Sequence, residues 1–160
     1  MTSDVDTQVG ASALLSTARA QRADLRKAMI RLERALARPA PGRISEWASS
    51  VHDALVDLAA TFERHIAVTE GDSGFLAEIA DHSPRLINAI QRLCVEHERI
   101  SDELSLTLRH VRRLNRGSND ADIEAVREHV TALVTDLVRH RQHGADLVYE
   151  AHAVDIGGSD

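Results

Sequence analysis

Cysteine is nearly absent: Cys94 is the only one in 160 residues. That excludes an intrachain disulfide and leaves stability to packing alone. Lying in an apolar segment, the lone thiol is expected as a small buried hydrophobe. Aromatic residues are almost as scarce, limited to Trp47, Phe62, Phe75 and Tyr149. A core so poor in rings has to be packed from Leu, Val, Ile and Ala, which suits helices better than a sheet. No stretch approaches the roughly 20 apolar residues that cross a bilayer. The N-terminus, Met1 to Asp6, is polar and acidic, without the charged region and apolar run of a signal peptide. A soluble, cytoplasmic protein with no membrane partner is the expectation. An excess of positive charge is also missing. The net charge of -6 argues against a nucleic-acid partner, which needs a concentrated basic surface. The densest basic run, Arg109, His110, Arg112, Arg113 and Arg116, falls where a helix should end and there complements the macrodipole.

The composition that remains, 43% hydrophobic and 28% charged, is that of one ordinary folded domain spanning 1–160. Proline and glycine punctuate it, since neither suits a helix interior. A polar tail is expected over 1–11. The first helix then runs from about Ser12 to Arg38 and stops at Pro39, Pro41 and Gly42. The second follows Arg43 and ends at Glu70, before Gly71 and Gly74. A short apolar piece, Phe75 to Ala80, precedes a third helix that starts near Ser83, with a capping hydroxyl and Pro84 in the first turn, and ends near Gly117. The fourth starts after Asn119 or Asp120, and 152–160 form a C-terminal tail. The closing segment, Tyr149 to Gly158, is unusually apolar and either folds back over the end of the molecule or frays.

Each long segment carries an apolar stripe at three- and four-residue steps, the signature of one buried helix face. The stripes run from Leu14 to Leu36, from Trp47 to Thr69, from Leu86 to Val111 and from Val126 to Ala151. Connections this short between helices this long predict an all-α, antiparallel up-down-up-down four-helix bundle.

Three of the four stripes are interrupted once by histidine: His65, His97 and His140. His97 lies 18 residues before Asn115 and His140 lies 20 after Asp120. At about 1.5 Å per residue, both stand roughly 27 to 30 Å from the same connection. The first helix brings Gln21 or Arg22 to its stripe, and Gln21 falls near the same depth as His65. Three neutral imidazoles at one level of an apolar core need partners for both ring nitrogens, and a metal supplies them. Imidazole suits iron, zinc, copper and nickel, usually with carboxylates in addition. Glu70, Glu96, Asp102 and Asp146 are the acids nearby. The remaining histidines, His52, His82, His110, His129, His143 and His152, fall off the stripes and are expected at the surface. The competing expectation for each inward histidine is a core residue bonded to a carbonyl or to water.

The pattern Phe62-Glu63-Arg64-His65 running on to Glu70, then Pro84-Arg85-Leu86 leading to Glu96-His97-Glu98, then Leu133, Leu137 and His140, resembles the hemerythrin-like, or HHE cation-binding, family. The resemblance covers about Ala13 to Glu150. It implies a four-helix bundle with a di-iron centre that meets oxygen, nitric oxide or peroxide in a redox or sensing role. By position it makes His65, His97 and His140 metal ligands and brings in Glu70 and Asp146 as displaced carboxylates. The chain departs from the family at Gln21, Thr69, Ser101 and Ala145, where further ligands are expected. Three arrangements stay open: a mononuclear iron site, a site rearranged around Asp146 or Glu150, and a metal-free bundle serving as a binding or dimerisation module. Haem held between two of the histidines lacks any cysteine attachment motif. No nucleophile and base pairing stands out in the spacing, so no enzyme activity is inferred.

Overall fold

The computed structural model describes residues 3–115 and 117–153, with side chains from Ala13 onward apart from Leu14 and Leu15. It is all-helical, with no strand among the described residues. Four long helices, α1 (Ser3–Leu36), α2 (Ile44–Glu70), α4 (Ile87–Arg113) and α5 (Asp120–Ala153), are accompanied by a short α3 (Phe75–His82) and a 3-10 turn at Pro84–Leu86. The main packing runs α1 on α2, α2 on α4 and α4 on α5, with a lighter contact between α1 and α5. Among the described residues no helix is long and apolar enough to cross a membrane.

The connections follow from their residues. Pro39 and Pro41 cannot continue α1, and Gly42 takes the left-handed φ of 75° that closes the turn into α2. At the start of α5, Asn119 and Asp122 cap one another: the Asp122 N–H donates to Asn119 Oδ1 at 3.1 Å, and the Asn119 N–H donates to Asp122 Oδ2 at 2.9 Å. Three boundaries differ from expectation. First, α1 begins at Ser3, well ahead of Ser12. Asp4 and Asp6 favour the positive end of a helix and no proline interrupts it, so most of the tail expected over 1–11 belongs to α1. Second, Ser83 makes no side-chain cap. Its N–H instead closes α3 on the Ile79 carbonyl at 2.8 Å, and Pro84 opens a 3-10 turn before α4. Third, Tyr149 to Ala153 extend α5 with Tyr149 75% exposed, so this part does not fold back; Asp155 and the rest of the apolar tail lie outside the described residues.

The stripes become the core. Leu25, Leu32, Val51, Leu55, Leu58, Phe62, Ile100, Val130, Leu133 and Leu137 are at most 1% exposed and belong to one large apolar cluster. A second, smaller cluster forms under α3 from Ala18, Phe75, Leu76, Ile79, Leu86, Leu93 and Leu147. At roughly 25 cal/mol per Å² of apolar surface removed from water, this burial is the main force holding the helices together. Cys94 is half-buried at the edge of the second cluster rather than inside it, because it stands one residue past the inward Leu93. The three histidines occupy the seam between the two clusters.

Candidate metal centre

The seam is polar because α2, α4 and α5 each place one imidazole where the apolar period calls for a Leu. His65, His97 and His140 are 8%, 2% and 3% exposed. Their Nε2 atoms form a triangle, 3.3 Å from His65 to His97, 3.3 Å from His65 to His140 and 3.1 Å from His97 to His140. Phe62, one helical turn before His65, packs its ring on all three, with centroids 5.7 to 5.9 Å away. That side of the triangle is closed to water.

The outer nitrogens fix the tautomers. His97 Nδ1 lies against Glu70 Oε1, and His140 Nδ1 donates to Glu96 Oε2 at 2.9 Å. A carboxylate can only accept, so both Nδ1 atoms carry the hydrogen, and in the neutral imidazoles both Nε2 atoms point lone pairs into the triangle. With both rings neutral, the His97–His140 contact at 3.1 Å has two acceptors and no donor. His65 can offer one hydrogen from Nε2, since its buried Nδ1 has no partner, but one donor does not satisfy two acceptors already facing each other. Protonation is disfavoured as well. Burial, then the neighbouring His97, His140 and Arg22, pushes the His65 pKa down to about 3. Burial also lowers that of His140, against the pull of Glu96. Both shifts favour the neutral form of His65 and His140, the form that binds metals.

The triangle fits an ion. With each nitrogen about 2.1 Å from a metal, the observed separations correspond to angles of about 95 to 104°, between an octahedral face and a tetrahedron. The carboxylates behind His97 and His140 make the carboxylate–histidine–metal arrangement that orients ligands and raises their basicity. Among the described residues, His65, His97 and His140 are the only group of His, Cys, Asp or Glu side chains gathered closely enough to hold an ion.

The other predicted residues are placed as follows. Glu70 stands behind His97, outside the nitrogen triangle. Asp146 is exposed, accepts from Gln142 Nε2 at 2.8 Å, and lines a surface groove with Glu96 and His143. Ser101 is half-buried on α4, and Ala145 is exposed on α5. Thr69 is buried, but its hydroxyl donates back to the His65 carbonyl at 2.8 Å. Gln21 is half-buried, with a buried Oε1 that has no partner; its neighbour Arg22, with Ala18, supplies α1's share of the lining of the cavity beside the triangle.

Two participants were not expected in these roles. Glu96 bridges His140 and the exposed His143, whose Nδ1 donates to Glu96 Oε1 at 2.6 Å. Burial acts to raise the Glu96 pKa, but these two contacts outweigh it and hold the carboxylate below its usual range. The signal available in the sequence was the i, i+3 spacing of His140 and His143 opposite a Glu adjacent to His97. The second is Arg141, which follows His140 directly and lines the same cavity as Arg22.

On the side away from Phe62 the triangle borders a cavity of about 40 Å³. Leu76, Leu93, Leu147 and Phe75 form much of its wall. The centre thus has one apolar closed face and one face open to a small molecule. Comparison with family models, with curated proteins and with solved structures finds no match to this chain.

Proposed function

We propose that this chain is a metal protein built on an antiparallel up-down-up-down four-helix bundle, in which His65, His97 and His140 hold a single ion through Nε2. The observation that supports it most is the His97–His140 contact, where two Nε2 atoms meet at 3.1 Å in a buried seam and, in the neutral rings, turn two lone pairs on each other that an ion between them would satisfy. The donor set suits iron, zinc, copper or nickel. Iron is our first choice on the resemblance to hemerythrin-like proteins, and with three nitrogens in the triangle the site is mononuclear.

A bound iron supplies a redox-active Lewis acid with coordination positions left over for an outside ligand. The chain's own residues do the rest. Glu70 and Glu96 hold two imidazoles in the Nδ1–H tautomer and fix their planes. Phe62 excludes water from one face, and the apolar cavity admits a small molecule to the other. This arrangement fits encounter with a diatomic gas or a peroxide in a redox or oxygen-response role. Anaerobic loading with ferrous iron, followed by optical and EPR spectra before and after nitric oxide or hydrogen peroxide, tests it. A spectral change complete at about one equivalent per iron supports the reading. Full iron content with spectra indifferent to both reagents sinks it.

A second reading is a metal-free bundle used as a binding or dimerisation module. It is favoured by Thr69, whose hydroxyl is tied to its own helix where the resemblance expects a carboxylate.

A further inference from the structure

We propose that His143, an exposed residue of α5, is a positioning residue of the metal centre: by donating its Nδ1–H to one oxygen of Glu96 it holds the other oxygen on His140, and so sets how tightly the triangle binds its ion. The proposal deepens the metal reading given above and rests on it.

His140 and His143 stand three residues apart on α5, neighbours on one side of the helix. Glu96 reaches them from α4 and divides its carboxylate between them. Oε2 accepts from His140 Nδ1 at 2.9 Å, and Oε1 accepts from His143 Nδ1 at 2.6 Å. Two contacts fix the plane of a carboxylate; one leaves it free to turn about its broad terminal torsion. The outer nitrogen of His140 is held no better than the oxygen it bonds, and the direction of its inner lone pair depends in part on that bond.

A competitor for Glu96 stands close by. Arg92 is four residues earlier on α4, the spacing at which a helix sets opposite charges side by side, and it lines the same surface groove. Among the described residues Glu96 nevertheless pairs with the two histidines and not with Arg92. With His143 removed, Glu96 keeps one contact inward and has a cation within reach outward, so its carboxylate is drawn away from His140. Asp146, the groove acid one turn after His143, accepts from Gln142 instead and leaves His143 to Glu96. The His143 side chain is 47% exposed, and at that exposure the contact adds little to fold stability. Its effect falls on the orientation of a ligand, where outer partners change metal affinity by about 10- to 100-fold.

The test is zinc affinity, read by competition with a chromophoric chelator, in His143→Ala, His143→Asn, Glu96→Gln and the His143→Ala, Glu96→Gln double variant. His143→Ala should weaken zinc binding by about tenfold, the lower end of the range for an outer partner, without moving the Tm of the metal-free protein. His143→Asn, whose amide donates from nearly the same place, should recover most of the loss. In the Glu96→Gln background His143→Ala should cost nothing further, since both act through one carboxylate. The metal-free protein gives a second readout. The Nδ1–H proton of His140, followed by NMR, should exchange with water faster in His143→Ala than in the parent or in His143→Asn. Parent-like zinc affinity in His143→Ala, an equal loss in the Glu96→Gln background, or a His140 proton indifferent to His143 overturns the proposal, and the first of these leaves the metal reading standing. A parent that takes up no zinc sinks the metal reading and the affinity claim with it, whereas a His140 proton that still responds to His143 then upholds the positioning contact alone.

Discussion

His97→Leu separates metal binding from folding more cleanly than any other single change. In the metal-free protein the substitution removes the charge-assisted contact with Glu70, worth about 1.5–3 kcal/mol. It also removes a buried imidazole whose Nε2 lone pair faces that of His140, and it buries a side chain whose transfer from water gains about 1.5–3 kcal/mol. The two effects are of similar size, so the metal-free fold should change by no more than about 2 kcal/mol in either direction. Metal binding should respond quite differently, because one of three ligands is lost. A ligand present at a thousand times its Kd stabilises the folded state by about 4 kcal/mol. For a domain of this size that raises Tm by roughly 8 to 16 °C. Thermal melts of the parent and His97→Leu, each with zinc or cobalt and with chelator, read both quantities at once. The parent should show the metal-dependent rise and His97→Leu should show none. An equal rise in both proteins would refute the assignment of His97 as a ligand.

Glu70→Gln and Glu96→Gln should each lower metal affinity about 10- to 100-fold with little effect on the metal-free fold, measured by competition with a chromophoric chelator; unchanged affinity in both removes the carboxylates from the account. Phe62→Ala should destabilise by about 3–5 kcal/mol, read from the urea midpoint, since its ring is 1% exposed and packed on all three imidazoles. Acid should weaken the metal-free fold. His65 has a folded pKa of about 3 against an ordinary 6.5, so between these values the unfolded chain binds a proton that the folded chain does not. Stability is then fully present above about pH 6.5 and falls as pH drops toward 3, by up to about 5 kcal/mol from this group. Denaturant titrations from pH 7 to pH 4 should show this slope steepest in the parent and reduced in His65→Leu; identical slopes contradict the assignment.

The helical class and the inward direction of the three histidines were legible in the sequence, because a stripe of Leu and Val at helical period broken once by His identifies both the buried face and its exception. The register was legible too, since a regular rise of 1.5 Å per residue converts distance from a shared connection into depth. The outer partners were not. Glu96 is adjacent to His97 in sequence but about 100° around the helix, so its contact with His140 depends on how closely α5 approaches α4, which no spacing within one helix encodes. Glu70 reaches His97 only because α2 continues to its last residue beside α4. Arg22 was legible as the alternative to Gln21 on the stripe of α1, whereas nothing in the spacing singles out Arg141, and only the folded arrangement lines one cavity with both. Thr69 shows the opposite limit: the sequence placed it on the buried face, but its hydroxyl is used by the backbone of its own turn.

The most direct test of a three-histidine centre is metal content per chain. It should be measured by elemental analysis on protein purified without a histidine tag and loaded anaerobically with ferrous iron. The account predicts about one ion per chain for the parent and none for the His65→Ala, His97→Ala, His140→Ala triple variant. Substoichiometric metal in the parent, or equal content in the triple variant, contradicts it.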